Sequence, residues 1–239
     1  VSLVESGWHG NDHIKSAFKV AAEIDCPSIR VIQLDGRKPL DRKKGWASAD
    51  VFCSLPDSVQ ETFGIVPVEA MAAGLPVVVS DWDGYRDSVR DHVDGFRIPT
   101  VMPPTGYGLD LAQRHALGLD SYDRYCGYTS SLISVDIDAA IEAFIKLFDS
   151  KNLRAEMGTN GRERAKNSYD WRVIIAKYDE LWESQRLKRL AAEGKIRKIP
   201  RVASQLDPFY AFQGYPTTQL SAEQKLDLLH SGLNNSSLL

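Results

Sequence analysis

QETFGIVPVEAMAAGLPVVVSD, residues 60–81, holds the strongest structural signals in the chain. Its run of three valines is apolar and β-branched, which predicts a strand buried on both faces, as in a parallel sheet covered by helices. The preceding run, residues 67–74, predicts a short helix from Pro67 that ends before Gly74, because proline suits the first helical position and glycine the position beyond the last. A loop, a helix and a buried strand in this order are typical of an α/β fold.

Two glutamates, Glu61 and Glu69, stand on either side of the loop in this stretch. Gly64 and Pro67 interrupt any helix between them, so the two acids are expected on different elements. Glu69 is expected in the first helical turn, where the positive end of the helix dipole favours an acid. The backbone amides of residues 63–66 have no partner within the helix and are free to meet an anion, which is the geometry of a phosphate site.

The overall composition excludes several classes of protein. A net charge of −3 over 239 residues offers no electrostatic case for nucleic acid. No apolar run is long enough to span a membrane, and the chain begins without a signal peptide's charged and apolar regions. Cys26, Cys53 and Cys126 form no CxxC pair, which predicts buried free thiols in a reducing compartment, hence a cytoplasmic protein. His9 and His13 have no third ligand and predict a loop and a helix cap rather than a metal site.

Strand and helix signals alternate along the first part of the chain and become helical towards its end. Strands are expected near residues 1–6, 28–36 (with a turn at the end), 50–55, 76–81 and 96–99. Helices are expected near residues 11–24, 43–48, 67–73, 85–92, 136–150, 152–167 and 170–190. This order predicts a Rossmann-like parallel sheet with helices on both faces and a helical C-terminus, with ligands bound beyond the carboxyl ends of the strands.

Two segments depart from this alternation and define the predicted domain boundaries. Residues 99–137 form a long stretch with glycine and tyrosine that is expected to be an insertion or a lid within a domain spanning residues 1–185. Residues 186–239 are basic and then polar, and are interpreted as a tail. The basic run at residues 186–198 is interpreted as a solvated helix end, with contact to an anionic membrane surface as the alternative.

Residues 49–99 resemble the donor-binding, C-terminal half of retaining family-4 glycosyltransferases of the GT-B type. An alanine-aspartate strand, a glutamate before Phe-Gly, a second glutamate eight positions later within EAMA, then G-x-PV and a DGF turn follow one another as they do in that family. The runs ETFG and DWDGY are similar to one bacterial subgroup. The resemblance implies that residues 1–185 form the nucleotide-sugar-binding half of a GT-B fold.

The resemblance also implies a role for each matching residue. Glu61 is the catalytic candidate and would face the hydroxyls of the donor sugar near the reacting carbon. Glu69 would hold the ribose hydroxyls, since an ionised carboxylate only accepts hydrogen bonds and can take both hydroxyls. The loop amides would reach the sugar and the diphosphate. The donor-binding set implied in this way is Thr62, Phe63, Gly64, Ile65 and Glu69.

The function implied is retaining transfer of a hexose from a nucleotide-diphosphate sugar to a sugar, lipid or protein acceptor, without a metal or another cofactor. The acceptor would bind through an N-terminal domain that is missing here, so we expect this polypeptide alone to be inactive. Some enzymes of this type touch a membrane at its surface, and peripheral contact is therefore included among the expected partners. The alternative is a catalytically inert nucleotide-binding or interaction module of the same fold.

Three residues mark where the sequence departs from the family or leaves a role open. The family carries an Arg and a Lys on the first strand-helix unit of this half, and only Lys15, a poor candidate, precedes Glu61 in that context. We expect the pair to lie upstream of Val1, and the alternative is a branch that differs. Asp87 stands where the family has a glutamate. Trp82 is the only tryptophan near enough to the motif to line a site, although packing is its expected role.

Overall fold

The computed structural model describes residues 1–192 and 207–225, which contain eight strands and ten α-helices. The strands are β1 (Ser2–Gly7), β2 (Arg30–Asp35), β3 (Phe52–Ser54), β4 (Val77–Ser80), β5 (Gly95–Ile98), β6 (Thr100–Met102), β7 (Ser134–Val135) and β8 (Thr218–Gln219). The helices are α1 (Asp12–Asp25), α2 (Pro39–Ser48), α3 (Ile65–Ala73), α4 (Gly84–Ser88), α5 (Leu109–Ala116), α6 (Tyr122–Ser130), α7 (Ile137–Asp149), α8 (Lys151–Arg164), α9 (Trp171–Ala191) and α10 (Pro208–Ala211). A π-helical turn, Ala165–Tyr169, joins α8 to α9.

Strands β1 to β5 form two parallel sheets, one of β1 and β2 and one of β3, β4 and β5 in that order, and β7, β6 and β8 form a third, mixed sheet. In the second sheet Val77 lies opposite Phe52 on one side and Gly95 on the other. All four residues of β4 are buried, as the apolar run in the sequence predicts for a central parallel strand. The α/β fold class is confirmed, with strands β1 to β5 divided between two parallel sheets.

Helices cover both faces of the sheet formed by β3, β4 and β5. Successive side chains of a strand point to opposite faces, so Val77 and Val79 share one face and Val78 takes the other. Val77 and Val79 pack with Met71 of α3, whereas Val78 packs with Leu147 of α7. The predicted arrangement of helices on both faces is therefore confirmed. Helix α3 is fixed to the sheet through Met71, which packs on the face formed by Val77 and Val79.

Two helical glycines provide a test of how tightly α8 packs. A Cβ atom on Gly158 would lie 2.1 Å from the backbone oxygen of Gly74, while a Cβ on Gly127 of α6 would meet nothing within 4 Å. We expect Gly158→Ala to lower the free energy of unfolding by about 1–3 kcal/mol, because α8 must move away from the end of α3. Gly127→Ala should raise it by about 0.5–1 kcal/mol, since alanine is the better helix former. Urea unfolding of both variants measures the difference, and equal effects would contradict this packing.

Residues 99–137 and 207–219 share a separate apolar cluster beside the sheet. Strand β6 pairs with β7 in antiparallel and with β8 in parallel orientation, which brings the two segments together. The buried members of the cluster are Val59, Trp82, Met102, Cys126, Ile133 and Phe209. Because Val59 belongs to the loop before Glu61, this cluster connects both segments to the candidate site.

The domain division proposed at residue 185 stays a prediction. Helix α9 runs across that position as far as Ala191. Residues 193–206 and 226–239 lie outside the described residues, and with them the second half, residues 193–198, of the basic run that suggested a solvated helix end or membrane contact. None of the helices in the described ranges has the length and apolar character needed to span a bilayer.

The N-terminal unit of β1, α1 and β2 forms as the sequence predicts. Asn11 caps α1 by accepting a hydrogen bond from the Ile14 amide at 2.9 Å, and α1 leaves no residue fully buried.

All three cysteines are free. Cys126 is buried as expected, Cys26 is partly buried, and the prediction is wrong for Cys53, which is exposed on β3.

Candidate functional site

The candidate loop runs from the end of β3 to α3, and α3 begins earlier than the sequence predicts. The helix starts at Ile65, so the predicted start at Pro67 is wrong. Gly64 takes a left-handed conformation, with φ of 65°, and this lets the chain enter the helix two residues sooner. Pro67 is then the third helical residue, where the missing N–H has no partner to lose. The predicted end is confirmed, since Gly74 caps the helix with φ of 84°.

Glu69 is the fifth residue of α3, so its predicted place in the first turn is also wrong. Its side chain is exposed, as is that of Ile65 one turn earlier on the same face. Side chains in a helix lean towards its N-terminus. The Glu69 carboxylate is therefore still directed towards the end of α3 where the loop enters.

The backbone amides of the loop are free. Within residues 1–192 and 207–225, the N–H groups of Thr62, Phe63 and Gly64 donate no hydrogen bond. The next two amides, of Ile65 and Val66, belong to the first helical turn and have no intrahelical acceptor. Phe63 and Ile65 expose 44% and 62% of their surface, so this part of the loop lies at the surface of the protein. The arrangement can accept an anion.

Glu61 lies partly buried in the loop, beside a tyrosine that the sequence did not single out. Its N–H donates to the backbone oxygen of Ser58 at 3.0 Å. Its carboxylate lies near the hydroxyl of Tyr85, which is also 3.2 Å from the Ser54 hydroxyl. Neither Glu61 nor Glu69 forms an ion pair with a described residue. The Glu69 side chain is exposed, whereas that of Glu61 is partly buried against Tyr85. The only sequence signal for Tyr85 is its position directly after the DWDG turn.

Helix α4 packs directly against the loop. A Cβ atom added to Gly64 would lie 1.8 Å from Cε1 of Tyr85, and one added to Gly84 would lie 2.2 Å from the backbone oxygen of Thr62. The loop and the start of α4 therefore touch through backbone and ring atoms, with no space between them. A shift of α4 must displace residues 62–64.

The ionisation of Tyr85 predicts a loss of stability at high pH. Burial raises the pKa of Tyr85 to about 12 from 10.0, the Ser54 hydrogen bond lowers it, and the Glu61 carboxylate adds to the rise. The unfolded chain therefore loses the Tyr85 hydroxyl proton at a lower pH than the folded chain does. The contribution of the Tyr85 hydroxyl to the free energy of unfolding is complete below pH 10 and is lost as pH rises through about 12.

We expect the unfolding free energy to fall less steeply between pH 10 and 12 in Tyr85→Phe than in the unsubstituted chain. Urea unfolding across this range measures the slope. Tyr107→Phe is the matched control, because Tyr107 is 74% exposed. Equal slopes in Tyr85→Phe and Tyr107→Phe would contradict the buried position of the Tyr85 hydroxyl.

Trp82 supports the loop from the core and does not line a surface. The side chain is fully buried, and its Nε1 donates to the backbone oxygen of Ser58 at 3.0 Å. The idea that Trp82 lines the site is therefore wrong, and the packing role is confirmed. The buried indole therefore fixes the position of Ser58 and of the loop residues between Ser58 and Glu61.

Asp87 takes part in the structure through its backbone. Its side chain is exposed, and its backbone oxygen accepts hydrogen bonds from Arg164 at 2.5 Å and from the Tyr169 hydroxyl at 3.2 Å. The Tyr169 ring in turn meets Phe63 edge-on, with ring centroids 6.1 Å apart. These contacts connect α4 and the loop to the π-helical turn, and the role of the Asp87 carboxylate stays unassigned.

His9 and His13, for which the sequence predicts a loop and a helix cap, lie at the start of α1, His9 before it and His13 in its first turn. His9 packs its ring against Phe18, with centroids 5.1 Å apart, next to the capped start of α1. Across residues 1–192 and 207–225, no three His, Cys, Asp or Glu side chains come together as metal ligands. The Arg and Lys that the resemblance implies for the first strand-helix unit of this half are assigned to no described residue.

Comparison with known proteins places the loop within a recognised family pattern. Residues 35–103 match the family model described as glycosyl transferases group 1. This segment contains β3, the whole loop, α3, β4, α4 and β5. The resemblance of residues 49–99 to glycosyltransferases is thereby confirmed at the level of this family.

Several curated relatives share this region. A phosphatidyl-myo-inositol mannosyltransferase of Mycobacterium leprae is 31% identical over 137 residues, which is 57% of this chain and 27% of the relative. The protein of the same description from Mycobacterium tuberculosis (strain CDC 1551 / Oshkosh) is 54% identical over 57 residues, 24% of this chain and 15% of the relative. The chain thus spans about a quarter of the length of the first of these relatives.

The fold is also similar to that of a solved structure. The crystal structure of Anabaena Alr3699/HepE in complex with UDP-glucose superposes on 77% of this chain and 41% of its own, with a TM-score of 0.52 and 20% sequence identity. At this identity the likeness concerns the fold. It agrees with the GT-B type of fold that the resemblance implies.

Proposed function

Because the chain carries a glycosyl transferase group 1 domain, matched at residues 35–103, we propose that it is the donor-binding half of a retaining glycosyltransferase. The reaction would move a hexose from a nucleotide-diphosphate sugar to a hydroxyl of a sugar, lipid or protein. The bond between the anomeric carbon and the diphosphate oxygen breaks, with its electron pair leaving on the diphosphate. A bond to the acceptor oxygen forms on the same face of the sugar, and the proton of the acceptor hydroxyl passes to the leaving diphosphate.

The observation that carries this proposal is a row of backbone amides without acceptors, flanked by two carboxylates that form no ion pair, all within the described residues. The amides of Thr62, Phe63 and Gly64 have no acceptor in the described part of the chain, and they stand at the positive end of α3. A diphosphate carries the charge that such a site favours. The flanking carboxylates of Glu61 and Glu69 accept hydrogen bonds from hydroxyls, which the ribose and the hexose of the donor supply.

The same amides support the chemistry as well as binding. Negative charge develops on the diphosphate as its bond to the sugar breaks. Donors that are already fixed around this charge lower the barrier without reorganising. The contacts of Gly64 and Gly84 with their neighbours fix the loop in this way, because they leave no space for it to shift on its own. We propose that transfer needs no metal, and a chelator such as EDTA should leave donor binding unchanged.

The relatives suggest which donors and acceptors to test first. Two of them are described as phosphatidyl-myo-inositol mannosyltransferases, which points to mannose as the sugar and a lipid as the acceptor. The structural neighbour was solved with UDP-glucose, which points to glucose on a uridine nucleotide. A lipid acceptor would require contact with the membrane surface. The acceptor is proposed to bind through a domain outside this chain, so the chain alone is expected to bind donor without completing transfer.

Glu61 offers a test of the sugar-binding part of the proposal. We expect Glu61→Gln to weaken binding of a nucleotide-diphosphate hexose by about tenfold, because a charged acceptor of the sugar hydroxyls is replaced by a neutral one. Binding of the bare nucleotide diphosphate should stay within about twofold, since the loop amides are unchanged. Calorimetric titration of both ligands with each protein gives the comparison.

The bare nucleotide is therefore the internal control. An equal loss for both ligands would show that Glu61 does not face the sugar. Failure of the folded chain to bind any nucleotide would favour an inert interaction module of the same fold.

A further inference from the structure

The segment 207–219 packs against the turn that precedes α4. The N–H of Asp83 donates to the backbone oxygen of Tyr215 at 3.2 Å, and the Tyr215 hydroxyl lies near the Asp83 carboxylate. The Tyr215 ring meets Trp82 edge-on, with centroids 5.6 Å apart. Arg86 donates to the backbone oxygen of Gly214 at 2.9 Å, across 128 residues of sequence. Every contact joins residues 82–86 to the same short stretch.

The turn held by these contacts is strained. Asp83 has φ of 32° and ψ of −120°, and the Tyr85 N–H donates to the Trp82 oxygen at 3.0 Å. These angles are close to the first central position of a type II′ turn, which glycine favours because its backbone takes positive φ without a steric cost. An aspartate persists there only when its surroundings hold it. The backbone hydrogen bond to Tyr215, the packing of the Tyr215 ring on Trp82 and the nearby Tyr215 hydroxyl supply that restraint.

The strained turn is in direct contact with residues 62–64, which form the candidate donor loop. Gly84 follows Asp83, and its Cα lies so close to the Thr62 oxygen that a Cβ would stand 2.2 Å away. One residue later, the Tyr85 ring occupies the space beside Gly64. If Asp83 relaxed to negative φ, the start of α4 would reorient and residues 62–64 would lose the wall that fixes them.

We propose that segment 207–219 positions the donor loop, with Tyr215 as the positioning residue that holds the strained Asp83 turn against residues 62–64. The segment does not touch the donor and acts through α4. This inference rests on the proposed function, because it concerns the loop assigned there to the donor.

Amide hydrogen exchange, read residue by residue by NMR on the full chain without nucleotide, tests the restraint. In Tyr215→Ala, we expect exchange at the amides of Glu61 and Tyr85 to accelerate about tenfold, while the amides of the central strand β4 keep their rates. The matched control is Tyr210→Ala, since Tyr210 lies in the same segment and is 56% exposed. General destabilisation would accelerate β4 as well. Equal rates at Glu61 and Tyr85 in the two variants would overturn the proposal.

A second substitution tests the role of strain. Asp83→Gly should keep the turn without help from Tyr215, because glycine takes this conformation readily. The double variant Asp83→Gly, Tyr215→Ala is therefore expected to recover most of the protection that Tyr215→Ala loses. Exchange in the double variant as fast as in Tyr215→Ala would overturn the account of the strained turn.

Nucleotide titration keeps this inference separate from the proposed function. If UDP, GDP or ADP binds the unsubstituted chain, Tyr215→Ala should weaken that binding about tenfold and Tyr210→Ala should not. Equal affinities in the two variants would contradict a positioning role. If no nucleotide binds the folded chain, the donor assignment fails, while the exchange rates still decide whether segment 207–219 fixes residues 61–64.

Discussion

Glu69→Ala is expected to weaken binding of the nucleotide diphosphate by about a hundredfold or more, because a carboxylate that holds two ribose hydroxyls contributes two charge-assisted hydrogen bonds. The fold should be unaffected, since the Glu69 side chain is exposed and forms no ion pair with any described residue. Calorimetric titration of the variant and the unsubstituted chain measures the change. Unlike Glu61→Gln, this substitution should affect the bare nucleotide and its sugar conjugate equally.

The control for this loss is Glu156→Ala. Glu156 is also an exposed helical glutamate, on α8, and its removal changes the net charge by the same amount. We expect its effect on nucleotide binding to be within about twofold, because it lies outside the loop and its flanking carboxylates. A similar small effect for Glu69→Ala would remove Glu69 from the binding site.

Gly64→Ala is expected to disrupt the loop and to lower the free energy of unfolding by roughly 3 kcal/mol, from a positive φ and a steric clash together. The added Cβ would lie 1.8 Å from the Tyr85 ring, which is fixed in the core. Either Tyr85 moves or Gly64 abandons its left-handed conformation, and the free amides lose their alignment in both cases. Urea unfolding and nucleotide titration measure the two consequences.

Gly118→Ala separates the clash from the backbone strain. Gly118 has φ of 73°, close to that of Gly64, but a Cβ there would meet nothing within 4 Å. We expect a cost of only about 1 kcal/mol, the part that comes from positive φ alone. Equal destabilisation by the two substitutions would show that the fit between Gly64 and Tyr85 is not what fixes the loop.

The central elements could be predicted from the sequence because their signals are local. The β-branched run of β4 and the glycine that ends α3 each depend on a few neighbouring residues. The placement of Glu61 and Glu69 on different elements followed from Gly64 and Pro67. The family motif supplied the candidate roles that periodicity alone does not contain.

The start of α3 could not be predicted because it depends on a distant contact. Gly64 adopts positive φ where the Tyr85 ring fills the space that a side chain would need, and the two residues belong to different elements. The sequence contains no periodic signal for this fit. The predicted start at Pro67 followed local preference, and the actual start at Ile65 follows the packing of α4.

The contacts of segment 207–219 were hidden from sequence analysis for a related reason. Its helix α10 has four residues and its strand β8 has two, which is too short to show periodicity. Residues 186–239 were interpreted as a tail from their overall composition, which gave no weight to the aromatic residues Phe209, Phe212 and Tyr215 that pack in the apolar cluster. The segment is held by pairing with β6 and by hydrogen bonds to residues distant in sequence.

The central claim is that residues 62–65 bind a nucleotide diphosphate. Titration of the full chain with UDP, GDP and ADP to millimolar concentration, followed through the amide signals in NMR spectra, tests it most directly. We predict that one nucleotide binds and that the amides of Thr62, Phe63, Gly64 and Ile65 shift more than those elsewhere. Absence of binding by the folded chain, or shifts concentrated away from this loop, would contradict the claim.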